Sequence, residues 1–437
     1  MTDERKSFHG YLRINDGMIA EASRGSPQIN QDEAVIDAAG CVLMPGLINA
    51  HTHLYQVLLR ALWEDLPLLP WLKRIYGAAQ VLRPEHFYAG TLLGCMEAIQ
   101  TGVTTLCEHN FLNPHPECAF ETIRAIRDSG LRAVFARTVM DTGEMVPECV
   151  KENPDRAFRH IEDIIAAAHQ ENSLLSFMTG PNTPPLNTTP ELLKAIRSFA
   201  DAKCIGISAH VAESKSVVEF TREKHGQSGV VKFLDDFGIA CESSIFAHCV
   251  HVSDQEIKIL KLRGTSVSHN PVSNMMLGDG VAPVVAMLRH GVNVALGTDG
   301  AASNHSQDLF ETMKTASLLQ KVHNQDAGAI DPYAVLRMAT ACGARALGLG
   351  ALCGTIDVGK RADLILVRLD TIHSQPVNDL FSQLVHCVKA SDVQTVIVDG
   401  RVLMKDRRFQ LAEERKVLEE AKKANLDLRT RLGSLSF

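Results

Sequence analysis

The sequence lacks three features that would place it in a special class of protein. No apolar stretch reaches the ~20 uncharged residues that a membrane helix needs. No two cysteines have CxxC spacing, and there is no long run of lysine or arginine. The formal net charge is only −7 over 437 residues. These absences predict a protein whose partners include neither a membrane nor a nucleic acid.

The cysteines and the first residues of the chain both indicate the cellular compartment of the protein. Eleven cysteines are scattered along the chain, which predicts free, mostly buried thiols in a reducing environment. Met1 to His9 are polar and charged, so they do not resemble the apolar segment of a secretory signal peptide. We therefore expect a cytoplasmic protein.

What the sequence does contain is a regular alternation of apolar runs and amphipathic runs. From Cys41 to about His323, short β-type runs alternate with helical patterns such as residues 84–100 and 190–201. This alternation predicts βα units and a parallel sheet. The predicted strands end at His53, His109, Met140, Thr183, Glu213, Val250, Pro271 and Gly300. Eight such units predict an α/β fold, a (β/α)₈ TIM-type barrel, which takes about 250 residues.

The two ends of the chain have a different character. Residues 9–40 and 355–405 hold short β-type pieces with turn signals at Asp16-Gly17 and Asp399-Gly400. Residues 411–432 are charged and have a helical pattern. We predict a small composite β-sandwich domain with a C-terminal helix, built from residues 1–44 and 355–437. The barrel would then occupy residues 45–354.

Residue types that bind metals or transfer protons fall at the ends of the predicted strands. They are His51 and His53 on the first strand, His210 and Glu213 on the fifth, His248 on the sixth, and Asp299 on the eighth. Strand ends meet at the mouth of a barrel, where barrel active sites lie. One histidine pair among 18 histidines is weak support by itself. Ligand-type residues on four separate strand ends predict a functional site.

The types of side chain indicate which metal this site would hold. Imidazole nitrogens with a carboxylate suit Zn²⁺ or Fe²⁺ better than Ca²⁺ or Mg²⁺. Two or three histidines and one aspartate leave a position open for water, whose pKa a bound ion lowers to about 7. We expect one divalent metal, with zinc as the first choice and iron(II) as the alternative. Glu213, three residues after His210, would reach the carbon under attack.

Six segments of the chain together resemble the amidohydrolase superfamily. They are MPGLINAHTH, SAHVAES, FAHCVHVSD, HNPVSNMMLGDGVAPV, GTDGAASN and GKRADLILV. The nearer resemblance is to the branch that holds methylthioadenosine/S-adenosylhomocysteine deaminases, s-triazine hydrolases similar to atrazine chlorohydrolase, and guanine or 8-oxoguanine deaminases. It extends from about Gly10 to Phe409. These motifs are much more specific for the superfamily and branch than for the substrate.

The resemblance implies a role for each residue at the mouth. The metal ligands would be His51, His53, His210 and Asp299. Glu213 would be the proton shuttle, and His248 would orient the attacking hydroxide or polarise the substrate. Asp299 would also accept a proton from the attacking water. Binuclear relatives bridge two ions with a carbamylated lysine at the end of strand four, and residues 173–187 contain no lysine. A single ion is therefore expected.

The resemblance implies a metal-dependent aminohydrolase or related hydrolase. It would replace an amino, alkylamino or other leaving group on an N-heterocycle of the s-triazine, purine or pterin type. Two alternatives stay open, namely hydrolysis of a cyclic amide or phenylurea C–N bond, and deamination of methylthioadenosine or S-adenosylhomocysteine. The nucleoside deaminases carry Glu near the position of Gln80 and His at that of Asn182. These two departures weigh against the second alternative.

Substrate contacts are expected from side chains that follow the strands at the mouth. Amide side chains suit the edge of a polar heterocycle because each offers both a donor and an acceptor. The candidates are Gln56, Trp63, Gln80, His109, Asn110, Asn182, Asn274, Asn304 and His305. We expect a small heterocyclic molecule as the partner, and the branch implies a homodimer or larger homo-oligomer.

Overall fold

The computed structural model of the chain describes residues 5–169 and 174–435. The outermost residues of the predicted small domain and the first residue of the predicted fourth strand, residue 173, lie outside these ranges. In chain order the strands are β1 (Gly10–Asn15), β2 (Met18–Arg24), β3 (Cys41–Pro45), β4 (Leu47–Thr52), β5 (Val103–Asn110), β6 (Arg132–Val139), β7 (Leu175–Pro181), β8 (Gly206–Val211), β9 (Ser244–His248), β10 (Ser266–His269), β11 (Val294–Leu296), β12 (Leu364–Arg368), β13 (Val393–Val398), β14 (Arg401–Lys405) and β15 (Arg408–Phe409).

Helices connect these strands and close the chain. In order they are α1 (Leu68–Ala78), α2 (Pro84–Gln100), α3 (Glu117–Ser129), α4 (Pro154–His169), α5 (Pro190–Lys203), α6 (Lys215–His225), α7 (Val230–Asp236), α8 (Asp254–Arg263), α9 (Pro271–Met276), α10 (Val284–Arg289), α11 (Leu309–Asn324), α12 (Pro332–Met338), α13 (Ala341–Ala346), α14 (Leu380–His386) and α15 (Glu414–Leu432), with short 3₁₀ helices at Leu54–Leu59 and Ala390–Asp392. Among the described residues, no helix is both long enough and apolar enough to cross a membrane.

Strands β4 to β11 form one parallel sheet in chain order, with helices between them. The predicted TIM-type barrel is therefore confirmed. Every residue of β5 and β6 is buried, as expected for strands that are covered on both faces. The first and last strands meet where the backbone N–H of Asp299 donates to the carbonyl of His51 at 2.9 Å. Beside it, the N–H of Thr298 donates to Asn49 Oδ1 at 3.0 Å.

The last barrel strand ends earlier than its sequence predicts. β11 stops at Leu296 rather than Gly300. An extended strand cannot pass through Asp299, because the backbone of this residue has a φ of 63°. The short strand leaves Asp299 on a tight turn at the barrel mouth.

Two of the predicted helices begin at the expected prolines. α2 spans Pro84–Gln100 as predicted, and α5 begins at Pro190 but continues to Lys203. Proline is favoured in the first turn because its missing N–H would have no partner there. Thr189 caps α5, since its hydroxyl accepts the N–H of Leu192 at 3.2 Å.

A second, antiparallel sheet combines both parts of the chain. Its strand order is β15-β14-β13-β12-β3, so one strand precedes the barrel and four follow it. The separate hairpin β1–β2 packs on this sheet through Ile19, which shares an apolar cluster with Leu364 and Ile397. The predicted composite β-domain is thus present, and its limits at residues 44 and 355 stay predictions.

Both predicted Asp-Gly turns are confirmed. Asp16 and Gly17 connect β1 to β2 with φ values of 50° and 76°. Asp399 and Gly400 connect β13 to β14 with φ values of 54° and 78°. Two consecutive residues with positive φ match the twist of a tight hairpin, and the Asp-Gly pair tolerates this conformation well.

The C-terminal helix α15 confirms the predicted helical pattern, and it packs on helix α2 of the barrel. His86 Nε2 on α2 lies 2.9 Å from Asp427 Oδ2 on α15. Asn425 Nδ2 donates to the carbonyl of Leu58 at 2.8 Å. The end of the chain therefore supports the helices that surround the first barrel strands.

Candidate active site

A cavity lies at the carboxyl ends of the barrel strands. His51 is in β4, His210 is in β8 and His248 is the last residue of β9, whereas Glu213 and Asp299 lie on the turns just after β8 and β11. The cavity is lined by His53, Leu68, Trp71, Leu72, Phe111, Asn182, Thr183, His210, Glu213, His248 and Asp299. The sequence-based placement of the ligand-type residues at one mouth is thus matched by their positions.

Three imidazoles and one carboxylate converge on a single point in this cavity. One ligand atom from each of His51, His53, His210 and Asp299 lies within 4.8 Å of all the others. His53 Nε2 is 3.2 Å from both His210 Nε2 and Asp299 Oδ1. His51 Nε2 is 3.4 Å from Asp299 Oδ1. Four donor atoms this close together fit one divalent ion and leave no room for a second between them.

The hydrogen bonds behind these imidazoles put them in the form that binds a metal. The carbonyl of His109 accepts from His53 Nδ1 at 2.7 Å, and the carbonyl of Asn182 accepts from His210 Nδ1 at 3.0 Å. A carbonyl can only accept, so Nδ1 carries the proton and Nε2 presents a lone pair. His51 Nε2 is buried without a hydrogen-bond partner among the described residues. The site therefore fits a single divalent metal ion.

Burial also keeps two of these imidazoles neutral. Desolvation lowers the pKa of His51, although the neighbouring Asp299 opposes this effect. Desolvation and the adjacent imidazoles, that of His109 first, hold the pKa of His210 well below its usual value. Neutral imidazole is the ligand form of histidine.

Asp299 is held by contacts on both sides of its carboxylate. Its Oδ1 faces His51 and His53. Its Oδ2 accepts hydrogen bonds from the hydroxyls of Ser273 at 2.5 Å and Ser303 at 3.1 Å. Burial by itself raises the pKa of Asp299, but the adjacent imidazoles of His51 and His53 outweigh burial and hold that pKa well below its usual value. Asp299 is consequently an anionic, fixed acceptor.

Glu213, His248 and Asp299 form a second cluster that overlaps the first. One functional atom of each lies within 4.8 Å of the others, and His248 Nε2 is 3.6 Å from Glu213 Oε1. Desolvation first, and then the negative charges of Asp279 and Asp299, raise the pKa of Glu213 well above its usual value. A carboxyl group whose pKa is raised is better suited to act as a general acid than an ordinary one.

His248 differs from the other histidines in its tautomer. Asn274 Nδ2 lies 2.9 Å from His248 Nδ1 and 3.4 Å from Asp279 Oδ2. An NH₂ group facing both atoms makes Nδ1 an acceptor, so the ring proton is on Nε2. Burial lowers the pKa of His248 to about 3, so the ring is neutral. His248 therefore presents an N–H donor to the cavity, where a metal ligand would present a lone pair.

Helix α1 forms the apolar wall opposite the imidazoles. Leu68, Trp71 and Leu72 are its cavity-lining residues. The indole N–H of Trp71 donates to the carbonyl of Ala302 at 3.3 Å, which ties α1 to the loop after β11. The ring of Phe111 packs edge to face on His53, with 4.8 Å between centroids. The cavity therefore combines apolar side chains with the polar ligand-type residues.

Among the predicted substrate contacts, Asn182 lines the cavity. His109 is buried below it and bonds to Ser208 and Asn182 through its two ring nitrogens, at 2.9 Å and 3.3 Å. Asn274 orients His248. Asn110 accepts the amide of Asn113 at 2.7 Å. These residues are close to the site, but most of their polar atoms already bond to protein groups.

The other predicted contacts are not among the residues that line the cavity. Gln56 is buried, and its amide has no hydrogen-bond partner among the described residues. Asn304 Nδ2 donates to the carbonyl of Thr298 at 2.5 Å, and His305 Nε2 pairs with Glu64 at 3.3 Å. Trp63 is half-buried against the main core and Gln80 is exposed. The roles of these residues stay predictions.

Several site residues were not among the candidates. Phe111 and Thr183 line the cavity within two residues of the ends of strands β5 and β7, so listing the residues at and just beyond each predicted strand end would have found them. Ser273 and Tyr76 act through hydrogen bonds to Asp299 and Asn182. Ser273 lies within the segment HNPVSNMMLGDGVAPV, but neither a serine nor a tyrosine by itself indicates a metal ligand or a proton-transfer group.

Comparison with known proteins gives one family. The family model described as the amidohydrolase family matches residues 42–403. A 5′-deoxyadenosine deaminase from Methanosarcina mazei is 40% identical over 427 residues, which are 97% of this chain and 95% of that protein. A 5-methylthioadenosine/S-adenosylhomocysteine deaminase from Syntrophomonas wolfei is 38% identical over 416 residues, covering 94% of this chain and 93% of that protein.

The solved structures agree with this fold. An adenosine deaminase from Xanthomonas campestris with bound zinc superimposes with a TM-score of 0.87 and 29% sequence identity. The superposition covers 96% of this chain and 93% of that one. Similarity therefore extends over both the barrel and the small domain.

Proposed function

Because this chain belongs to the amidohydrolase family, we propose that it is a deaminase that removes the exocyclic amino group of an adenine-type heterocycle. It is a hydrolase of carbon–nitrogen bonds other than peptide bonds. The observation that carries the proposal is the overlap of two clusters at Asp299. One offers ligands for a metal, and the other adds the acid Glu213 and the donor His248 within 4.8 Å. Acid, base and donor in one place are what hydrolysis of an amino-heterocycle needs.

The proposed metal is zinc, with iron(II) as the alternative. Three imidazole nitrogens and one carboxylate oxygen are a common donor set for a catalytic zinc ion. Bound by His51, His53, His210 and Asp299, the ion would supply Lewis-acid activation of water at neutral pH.

Asp299, His248 and Glu213 then each have a role in the deamination reaction. Asp299 accepts a proton from the attacking water, since its carboxylate is anionic and fixed. The neutral His248 donates a hydrogen bond from Nε2 to the oxygen that adds to the ring. Glu213 gives its proton to the ring nitrogen beside the attacked carbon. The proton taken from water passes from Asp299 to the amino group, which leaves as ammonia when its bond to the ring carbon breaks. The hydroxyl that remains on that carbon then gives up its proton, which restores the acid form of Glu213, and becomes the carbonyl of the product.

The relatives point to the part of the substrate that is shared. 5′-Deoxyadenosine, methylthioadenosine, S-adenosylhomocysteine and adenosine, as named for those proteins, all contain adenine with one exocyclic amino group. They differ only at or beyond the 5′ carbon. We therefore propose a 5′-modified adenosine as the first substrate class to test.

A free N-heterocycle of the purine, pterin or s-triazine type is a second candidate. It is favoured by the cavity wall, where Leu68, Trp71, Leu72 and Phe111 are apolar. Asn182, in place of the histidine of nucleoside deaminases, already bonds to His109 and to Tyr76. The described lining residues include no carboxylate besides Glu213 and Asp299 that could accept hydrogen bonds from both hydroxyls of a ribose.

The test is a panel assayed with the zinc-loaded protein. Adenosine and its 5′-deoxy, 5′-methylthio and homocysteinyl derivatives are compared with adenine, guanine, a pterin, an amino-s-triazine and an N-aryl urea, and ammonia or amine release is measured. We expect ammonia from adenine nucleosides, with kcat/KM at least tenfold above the free bases. Ammonia from free heterocycles alone would favour the second candidate. Amine from the urea alone would contradict both.

A further inference from the structure

The buried hydroxyl of Tyr76 joins helix α1 to the loop that follows β7. Tyr76 lies on the same inner face as Trp71 and Leu72, and it is only 2% exposed. Its hydroxyl accepts the amide of Asn182 at 3.1 Å and the amide of Asn187 at 3.0 Å. The helix that walls the cavity is thereby joined to the loop that follows β7.

Asn182 continues this connection to the metal ligands by two routes. Its backbone carbonyl accepts from His210 Nδ1 at 3.0 Å. Its side-chain Oδ1 lies 3.3 Å from His109 Nε2, and the carbonyl of His109 accepts from His53 Nδ1 at 2.7 Å. Two of the three imidazoles thus take their orientation from groups that Asn182 holds. Hydrogen bonds behind a ligand histidine set its ring orientation and its basicity.

We propose that Tyr76 is a positioning residue that couples the seating of helix α1 to retention of the metal ion, through Asn182. The inference rests on the proposed function in one respect, because it takes His53 and His210 as metal ligands. When α1 packs against the barrel, the hydroxyl of Tyr76 fixes the loop that contains Asn182 and Asn187. The carbonyl of Asn182, which accepts from His210 Nδ1, then stays in position. When the hydroxyl is removed, two buried amide groups lose their acceptor and the loop must shift or admit water.

A second tyrosine provides a matched control. Tyr55 is 1% exposed, as deeply buried as Tyr76, and its ring packs on Phe87 with centroids 4.7 Å apart. Its hydroxyl has no hydrogen-bond partner among the described residues. Tyr55→Phe and Tyr76→Phe therefore remove the same atom from equally buried sites, and only the second breaks a hydrogen-bonded chain to the ligands.

The fluorescence of a tryptophan on α1 can report how well this helix is packed. The protein has two tryptophans, and one of them, Trp71, is on the inner face of the helix. In a Trp63→Phe background the emission comes from Trp71 alone. Quenching of that emission by acrylamide reports exposure of the α1 face, and all variants are compared within this background.

The experiment measures zinc release and Trp71 quenching on the zinc-loaded protein without substrate. Excess 4-(2-pyridylazo)resorcinol captures the released zinc and gives the rate by absorbance. We expect Tyr76→Phe to release zinc about tenfold faster than the background protein and to be more readily quenched. Tyr55→Phe should match the background protein in both measurements. Because no substrate is present, failure of the substrate panel would leave this result standing.

Asn182→Ala provides the second variant and closes a double-mutant cycle. Asn182→Ala removes the amide that bonds to the hydroxyl of Tyr76, so it should also increase the rate of zinc release. Adding Tyr76→Phe to this variant should increase that rate little further. If Tyr76→Phe does not fold, Asn182→Ala against Tyr55→Phe carries the test. Zinc release at the background rate in Tyr76→Phe, equal acceleration in Tyr55→Phe, or effects that multiply would each overturn the proposal.

Discussion

The two ends of the barrel differ in whether their buried polar and charged groups have partners. At the base, where the strands begin, Arg132 Nε donates to Asp363 Oδ2 at 2.6 Å and its terminal nitrogen lies 3.1 Å from Asp399 Oδ1. Asp363 Oδ1 also accepts the backbone N–H of Asp399 at 2.7 Å. Each charge in this base cluster is paired, and the cluster joins β6 of the barrel to the small sheet.

At the mouth, buried polar atoms are left without partners. Among the described residues, His51 Nε2, His248 Nε2 and both amide atoms of Gln56 have no hydrogen bond. Glu213 and Asp299 are buried carboxyl groups in one cluster. An unsatisfied buried polar group costs about 1–3 kcal/mol, so the mouth lowers stability while the base contributes to it. Substitutions at the mouth should therefore change activity, and substitutions at the base should change stability.

The largest effect is expected at the mouth, from Glu213→Gln. The amide cannot give up a proton, so we expect kcat to fall by about 10²–10⁴-fold while the metal and the midpoint of thermal unfolding are retained. Steady-state kinetics, metal analysis and a melting curve check this. Glu219→Gln is the control, because Glu219 is exposed on α6 and the substitution makes the same carboxyl-to-amide exchange away from the site. A variant with near wild-type kcat would remove Glu213 from the mechanism.

At the base, Asp363→Ala should be the most damaging change to stability. It leaves Arg132, whose side chain is 5% exposed, without its bidentate partner. We expect the free energy of unfolding to fall by about 3–5 kcal/mol, measured by denaturant titration, with kcat unchanged in the folded fraction. Replacing both residues, as Arg132→Met/Asp363→Leu, should recover part of the loss. If Asp363→Ala instead lowered kcat and left stability intact, the contrast between the ends would fail.

Ser273→Ala should have an intermediate effect at the mouth. Its hydroxyl donates to Asp299 Oδ2 at 2.5 Å, and a hydrogen bond to a charged group is worth about 1.5–3 kcal/mol. We expect kcat to fall about tenfold with little change in KM, since the carboxylate that accepts the proton is less well fixed. Ser273→Thr keeps the hydroxyl and should restore part of kcat. An equal loss in both variants would indicate a packing effect.

The smallest effect is expected far from both ends. Arg415 Nε lies 3.0 Å from Glu419 Oε1 on α15, and the two side chains are 87% and 65% exposed. A solvent-exposed pair of this kind contributes only about 0.3–0.5 kcal/mol. Arg415→Ala should therefore leave both stability and kcat almost unchanged in the assays used above. A loss of more than about 1 kcal/mol would show that the ranking by burial is wrong.

The sequence was sufficient for the barrel because its strands are buried on both faces. Continuous apolar runs such as those of β5 and β6 stand out against the polar helices around them. The predicted end of β11 at Gly300 was wrong, because the strand cannot pass through the positive φ of Asp299, which residue type alone does not determine. Aspartate tolerates a positive φ but seldom requires it.

The same contrast holds for the site. His51, His53 and His210 could be brought together from the strand count, because parallel strands end at one edge. Ser273 could not, because α9 contacts Asp299 across two different βα units. Gln80 was placed by counting along the chain, and the structure has it exposed after α1. Contacts that depend on how the helices pack over the barrel mouth can be identified only when the three-dimensional structure is known.

Metal content is the most direct test of the site. Elemental analysis of the purified wild-type protein should find about one divalent ion per chain, with zinc as the main element. Asp299→Ala and His53→Ala should hold almost none, because each removes one of four converging ligands. Asp363→Ala, at the base, should retain the wild-type amount in its folded fraction. A metal-free wild type, or full metal retention in Asp299→Ala, would contradict the central claim.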